Sequence, residues 1–550
     1  MPTSSPNKTL QATLQDLHRC SLVQVRFWVI ALLIGIAAGF ATIGFRVAIS
    51  ELQSLFYGAD DLLLASTARD LPWHIILCLP ILGGALVGVI LQYFTHDGRT
   101  RSVAHVIEGA ALHDGRVEGR AGLASVLASL ITLSTGGSAG REGPVVHLGA
   151  VISSKISRLM KADAITARDL MGCAAASAVA ASFNAPLAGA VFAMEVVLRH
   201  YAIHALAPIM IASVSGAVIS RLYFGNVTEF TLPGHVADFY LELPAHLLLG
   251  IISALVAVSL IKSVFWAEDF ADKVQAKTGL PQWARPTIAG ALLGVIAIFF
   301  PHIIGVGYET TSHALTGNLA LGGAVLFAFI KALAVVITLA GRMGGGIFSP
   351  ALMLGALTGL AFGWVAVALF PSVNGDETLY ALAGMGAVAA AVLGAPLSTT
   401  LIVFELTEDW QAGLAVMVAV SVASAITGRF VHRSFFISQL ERRGVHLADG
   451  DTGYILSKHP ITDVMRPAEM LKVNRRKKLW KMVAKGLYLD GSATLEQAMP
   501  LFETGYHKAL PVVQLGGESD APVLLGAVYH VDALKTYNAA LNATAIEEHS

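Results

Sequence analysis

Apolar stretches recur fourteen times between residues 27 and 428 of this 550-residue chain, and many are too short or too broken to be simple spanning helices. A straight helix needs roughly 20 apolar residues to cross a bilayer. Several of these runs fall short of that, and Gly143-Pro144, Pro186, Pro350 and Pro396 interrupt others. Broken helices survive at membrane depth only where protein or a water-filled cavity covers the freed backbone groups. In transporters such helices mark the binding site. Composition agrees, with 55% hydrophobic and 14% charged residues, against about 25% charged in soluble domains.

Several function classes drop out. The formal net charge of -1 gives no basic field for nucleic acid. Cys20, Cys78 and Cys173 are scattered without CxxC spacing, so neither a disulfide framework nor a metal site is expected, and no cofactor. The first 26 residues carry Lys8, Arg19 and Arg26 and lack a small-residue cleavage site, so the run 27–45 reads as an uncleaved span. Arg429, Arg433, Arg442 and Arg443 follow the last apolar run. The positive-inside bias then puts both ends in the cytoplasm, with a bacterial inner membrane as the expected location.

Around residue 440 the composition changes. Residues 444–550 are charged, include the run Arg475, Arg476, Lys477 and Lys478, and read as a small α/β tail. Helix is expected over 494–502 and 531–541, strand over 509–513 and 524–529.

The chain also repeats itself. Asn184-Ala185-Pro186-Leu187, with Glu195 nine residues after its proline, matches Gly394-Ala395-Pro396-Leu397 with Glu405 nine residues after its own. Pro144 is followed by Leu148-Gly149-Ala150, and Pro350 by Leu354-Gly355-Ala356. Two motif pairs in one order, at offsets of 206 and 210, indicate duplication. The half-repeats run roughly over 73–225 and 286–430. Glu195 and Glu405 lie on apolar helices, where a carboxylate usually faces a partner or a cavity.

Gly140-Arg141-Glu142-Gly143-Pro144 has the chemistry of an anion site. Glycines allow tight turns, and proline suits the first turn of the helix that follows. The N–H groups there lack intrahelical partners and carry the positive dipole end. Glu142 is itself an anion placed at such a site. Gly344-Gly345-Gly346-Ile347-Phe348-Ser349-Pro350 repeats the device. Two half-helix starts aimed at one point would hold a dehydrated anion and still release it. A neighbouring carboxylate could compete with that ion and leave when protonated, acting as a gate.

Over residues 25–443 the chain resembles the CLC family of chloride channels and proton-coupled chloride exchangers. The carriers are GREGP at 140–144, GxFxP at 346–350 and the NAPLAG and GAPL segments. The resemblance implies an all-α polytopic fold of short and broken helices in two antiparallel, inverted halves. It also implies a homodimer with one chloride pore per subunit. Glu142 matches the external gate, and Ile347 and Phe348 match the backbone amides that bind the central chloride. Arg141, Gly143 and Gly346 complete the implied anion-binding set around them.

Three departures bear on mechanism. The family's GSGIP loop aligns with Arg101-Ser102-Val103-Ala104-His105, which keeps the Ser102 hydroxyl but loses glycines and proline. Ser102 is then a chloride ligand or an ordinary helix cap. The pore tyrosine aligns with Phe436, or with Phe435 if the register slips, and so loses a hydroxyl donor. The exchangers' internal glutamate, directly after the position of Glu195, is Val196. The usual proton relay is therefore missing, and a channel-like or weakly coupled pathway is expected. Alternatives are a chloride/proton antiporter, since some exchanger branches also lack that residue, and an exporter of another small anion such as fluoride.

Residues 490–541 resemble part of a CBS domain. Its nucleotide signature reads Tyr529-His530-Val531-Asp532, without the hydroxyl, so support of a dimer is the favoured role over adenine nucleotide binding at Asp532. No enzyme activity is expected. Gly136-Gly137-Ser138-Ala139-Gly140 mimics a nucleophile elbow but ends an apolar helical run without a supporting His and Asp. Gly384-x-Gly386-x-x-Ala389 mimics a dinucleotide loop inside an all-apolar run.

Overall fold

Backbone groups in lipid must close their hydrogen bonds within the protein, and the described part of residues 6–440 is accordingly helix joined by turns. The computed structural model describes residues 6–201, 203–225, 239–370, 377–407, 409–445, 447, 456, 459–505, 507–514 and 522–549. Among them, seven helices are long and apolar enough to cross a bilayer: Gln24–Tyr57, Trp73–Phe94, Ile203–Phe224, Glu242–Thr278, Leu321–Ala340, Phe348–Leu369 and Ala412–Glu441. Their outer faces expose Phe40, Leu82, Leu222, Phe299 and Phe329, which lie on these spans and on the shorter Ala284–Phe299 helix. This is a multi-pass membrane protein.

The shorter helices build the interior. Ala164–Phe183 is buried all round from Asp169 to Phe183, and Glu377–Leu393 from Thr378 to its end. Their Ala and Gly content lets neighbouring backbones close in. A Cβ on Gly355 would fall 2.3 Å from the Gly384 carbonyl oxygen, and one on Gly290 would fall 2.0 Å from that of Pro80. Any larger residue would force these helix pairs apart.

The two copies of the repeat differ in helix type. Pro396–Thr407 is a continuous α-helix, whereas Pro186–Phe192 passes into a π-helical turn, Ala193–Leu198, that carries Glu195 and the buried Val196. Arg199, in the left-handed region at φ 57°, ends it.

Residues 441–550 form a second compact unit. Its sheet has the order β1-β4-β3-β2, with β1 Arg466–Pro467, β2 Leu489–Asp490, β3 Ala509–Gln514 and β4 Val523–Tyr529. β2 and β3 are parallel, joined through the helix Leu495–Gly505, and β3 and β4 are antiparallel. Ile461, Leu489, Leu495, Phe502, Val512 and Val528 form the core. The expected strands lie within one residue of the observed ones, the helix expected over 494–502 runs three residues further as Leu495–Gly505, and the last helix runs on as His530–His549. The basic run sits on a further helix, Val473–Val483.

Candidate functional site

The two glycine-rich loops are bound to each other. Gly140 N–H donates to the Gly346 carbonyl at 2.7 Å, and Gly346 N–H donates back to Gly140 at 2.7 Å. One step out, Ser138 N–H donates to Thr338 Oγ1 at 3.1 Å, and Gly344 N–H to Thr132 Oγ1 at 3.0 Å. Every donor and acceptor in this set has its counterpart 206 positions away, so the halves are related by a local two-fold axis between Gly140 and Gly346. Gly136 at φ 108° and Gly345 at φ 131° hold backbone conformations that only glycine adopts readily.

Both loops deliver helix starts in matching geometry. The caps Arg141 (φ −87°, ψ −17°) and Ile347 (φ −94°, ψ −8°) are nearly superposable. The first intrahelical bonds run from Val145 to Arg141 at 3.3 Å and from Ala351 to Ile347 at 3.0 Å. The N–H groups ahead of them have no partner within their own helix and aim their dipoles at the space between. The ends touch, because a Cβ on Gly143 would lie 3.3 Å from Gly346 Cα and 4.0 Å from Val103 Cγ2. Val103 begins the helix capped by Ser102, so a third helix start converges on the same place. Arg141, Glu142, Ile347, Phe348 and Ser349 are all buried.

Glu142 crosses the two-fold. Sequence reasoning sets it over its own helix start, but its Oε1 accepts a 2.5 Å hydrogen bond from Ser349 Oγ on the opposite helix. A Cβ on Gly140 would meet Glu142 Oε2 at 2.6 Å and Ser349 N at 3.0 Å, so only glycine leaves room for the carboxylate. A negative group thus occupies the positive end of Phe348–Leu369, the position that suits an anion.

The remaining residues divide into those brought to this place and those that are not. The Ser102 hydroxyl donates to Gln439 Oε1 at 3.3 Å, and its N–H donates to His105 Nδ1 at 3.1 Å. Gln439 lies on Phe435–Glu441, one turn after Phe436, and this juxtaposes Ser102 with the Phe436 helix. Phe435 stacks on Phe265 with centroids 5.2 Å apart, and both Phe435 and Phe436 are buried. The Phe348 side chain packs against Phe183 at 5.0 Å and Phe192 at 6.1 Å, while its backbone begins the helix Phe348–Leu369. Arg141 caps the helix Glu142–Leu159. Its guanidinium stacks over Tyr308 at 4.6 Å and lines a cavity of roughly 380 Å³ with Arg46, Asp60, Asp61 and Asn184.

Glu195 and Glu405 form a separate reciprocal pair. Glu405 accepts from the N–H groups of Leu187 (2.9 Å) and Ala188 (2.8 Å), at the start of the first copy's helix. Glu195 accepts from Leu397 (3.0 Å) and Ser398 (2.8 Å), and from the Ser398 hydroxyl, at the start of the second. Each carboxylate caps the helix of the other half. Ser138 lies in a buried turn after Gly119–Ser134, with no strand leading into it. Among the described residues no cluster of His, Cys, Asp and Glu could hold a metal ion.

Thr132, Thr338, Ser349, His105 and Gln439 were missed by sequence reasoning. Thr132 and Thr338 stand at the repeat offset of 206, a signal that was available.

Two duplicated halves meeting at paired helix starts within the bilayer define a membrane protein with a repeat-interface site, as ion-transport proteins build. The family model described as voltage gated chloride channel matches residues 83–428, and the chain belongs to that family, the CLC proteins. It is 34% identical over 394 residues, 71% of this chain and 91% of the other, to a protein described as ClcB-like chloride channel protein from Ralstonia nicotianae. Among solved structures, a slow cyanobacterial Cl-/H+ antiporter matches with a TM-score of 0.67 and 23% identity, over 76% of this chain and 98% of the other. A CLC-type fluoride/proton antiporter matches with a TM-score of 0.62 and 20% identity, over 75% and 97%. At these identities the structural matches speak for the fold.

Proposed function

We propose that this chain passes chloride across the membrane through one pore per subunit of a homodimer, with Glu142 as the gate. The observation that carries the reading is the Glu142 carboxylate held on the opposite half-helix start, where it competes for the place a chloride would take. Protonation removes the charge that holds it there. The backbone amides of Ile347 and Phe348, with Gly143, Gly346 and Arg141 around them, form the ion's cradle. Ser102 and Phe436 wall the path from the other side. Val196 offers no titratable group beside Glu195, which supports a channel-like or weakly proton-coupled pathway.

Flux from chloride-loaded liposomes, with and without a pH gradient, tests this. Native protein should release chloride in a pH-dependent way without driving protons at fixed stoichiometry. Glu142→Ala should abolish the pH dependence while flux persists, and Val196→Glu should strengthen coupling. Chloride-driven proton movement at constant stoichiometry in native protein would establish the antiporter reading instead. Competition by fluoride that exceeds competition by chloride would establish the fluoride reading.

We further take the pore domain as residues 25–443, with cytoplasmic 1–24 and a cytoplasmic CBS-like tail at 444–550, in a bacterial inner membrane. Asp532 is engaged by Arg466 at 2.8 and 3.1 Å, which supports a structural role over ribose binding.

A further inference from the structure

The charge of the second unit is sharply divided. Between residues 466 and 488 stand eight Lys and Arg against the single carboxylate Glu469, whereas 489–550 carry eight carboxylates against Lys508 and Lys535. The basic half is organised by the helix Val473–Val483. Leu479 is buried with Leu471 and Ala527, Met482 packs with them, and Arg475 lies over the Tyr529 ring at 5.0 Å. Those contacts fix which face looks out. Lys477, Lys478 and Lys481 follow at helical spacing along it and Lys485 stands in the turn just after it, all exposed, and none forms an ion pair among the described residues. Beside them Val473 is 69% exposed, Trp480 41% and, just before the helix, Met470 79%.

We propose that this face docks on the anionic headgroups of the bilayer that holds the same chain. A row of lysines alone would suit any polyanion. The exposed Trp480, Val473 and Met470 add an apolar edge, which a soluble phosphate cannot use but which the boundary between headgroups and acyl chains can. The occupant is also always at hand, because the unit is joined through residue 440 to membrane-spanning helices and meets lipid at high effective concentration. Attraction between exposed lysines and lipid phosphates is screened over about 10 Å at 0.1 M salt, so docking is reversible and salt-sensitive.

The test is amide hydrogen exchange over 473–483 in the full-length protein, in lipid discs of phosphatidylcholine alone and of phosphatidylcholine with phosphatidylglycerol. Exchange should slow roughly tenfold in the anionic discs, and raised salt should erase the difference in native protein. The variant carrying Lys477→Gln, Lys478→Gln, Lys481→Gln and Lys485→Gln should exchange alike in both discs, with exchange of Ala509–Gln514 unchanged as evidence of folding. Equal exchange of native protein in the two discs overturns the proposal, as does slowing that survives the four substitutions. Slowing by tripolyphosphate or an RNA oligomer in phosphatidylcholine discs that matches the effect of phosphatidylglycerol also overturns it, by assigning the face to a soluble polyanion.

Discussion

The Glu142–Ser349 contact is a hydroxyl donating to a carboxylate at 2.5 Å inside a buried site. A hydrogen bond to a charged group contributes about 1.5–3 kcal/mol. Ser349→Ala should therefore favour the released carboxylate by about tenfold or more, read as a rise in chloride efflux toward the Glu142→Ala rate. Ser349→Thr retains the hydroxyl and should stay near native. His105 permits a second test at this scale. It stands at the third position of the helix capped by Ser102 and accepts that residue's N–H, as Glu or Gln does in a capping box. His105→Gln should preserve the helix start, while His105→Leu should raise the chloride concentration at half-maximal flux. An unchanged concentration dependence in His105→Leu would show that Ser102 is not a ligand, or that it does not depend on this brace.

At the scale of elements, the two carboxylates that sequence reasoning placed in apolar helices have a structural use. Each accepts two backbone N–H groups from a helix start in the other half. Leu187 and Leu397 are exposed but Ala188 and Ser398 are buried, and a buried donor left unsatisfied costs about 1–3 kcal/mol. Glu405→Ala should therefore lower the thermal midpoint of the purified protein by several degrees, and Glu405→Gln, which keeps one acceptor oxygen, by less. Neither substitution should alter the pH dependence of flux. A flattened pH profile in Glu405→Gln would instead assign that carboxylate to the proton pathway. The π-helical turn at Ala193–Leu198 has no counterpart in Pro396–Thr407, so the two caps are alike in bonding but unlike in setting.

For the molecule as a whole, the sequence made the duplication and the two helix starts legible because proline and glycine punctuate them at a fixed offset. What it hid were the pairings across the halves. Glu142 meets Ser349 207 residues on, and Leu187 meets Glu405 218 residues on. No helical or strand periodicity encodes such distances; they follow only once a two-fold axis is imposed on the repeat. The packing of the Phe348 ring against Phe183 and Phe192 was hidden in the same way, since those partners lie more than 150 residues away in the chain. The axis has a thermodynamic consequence. Thr338 Oγ1 holds the first loop and Thr132 Oγ1 the second, while the Gly140–Gly346 bridge links both. Thr132→Val and Thr338→Val each strand one buried N–H and should lower thermal stability by similar amounts, about 1–3 kcal/mol. If the bridge makes the loops one cooperative unit, it opens once, and the double substitution should cost less than the two singles added, by about 0.5 kcal/mol or more. Strict additivity would mean that the halves hold their own loops independently and that the bridge only rests between them.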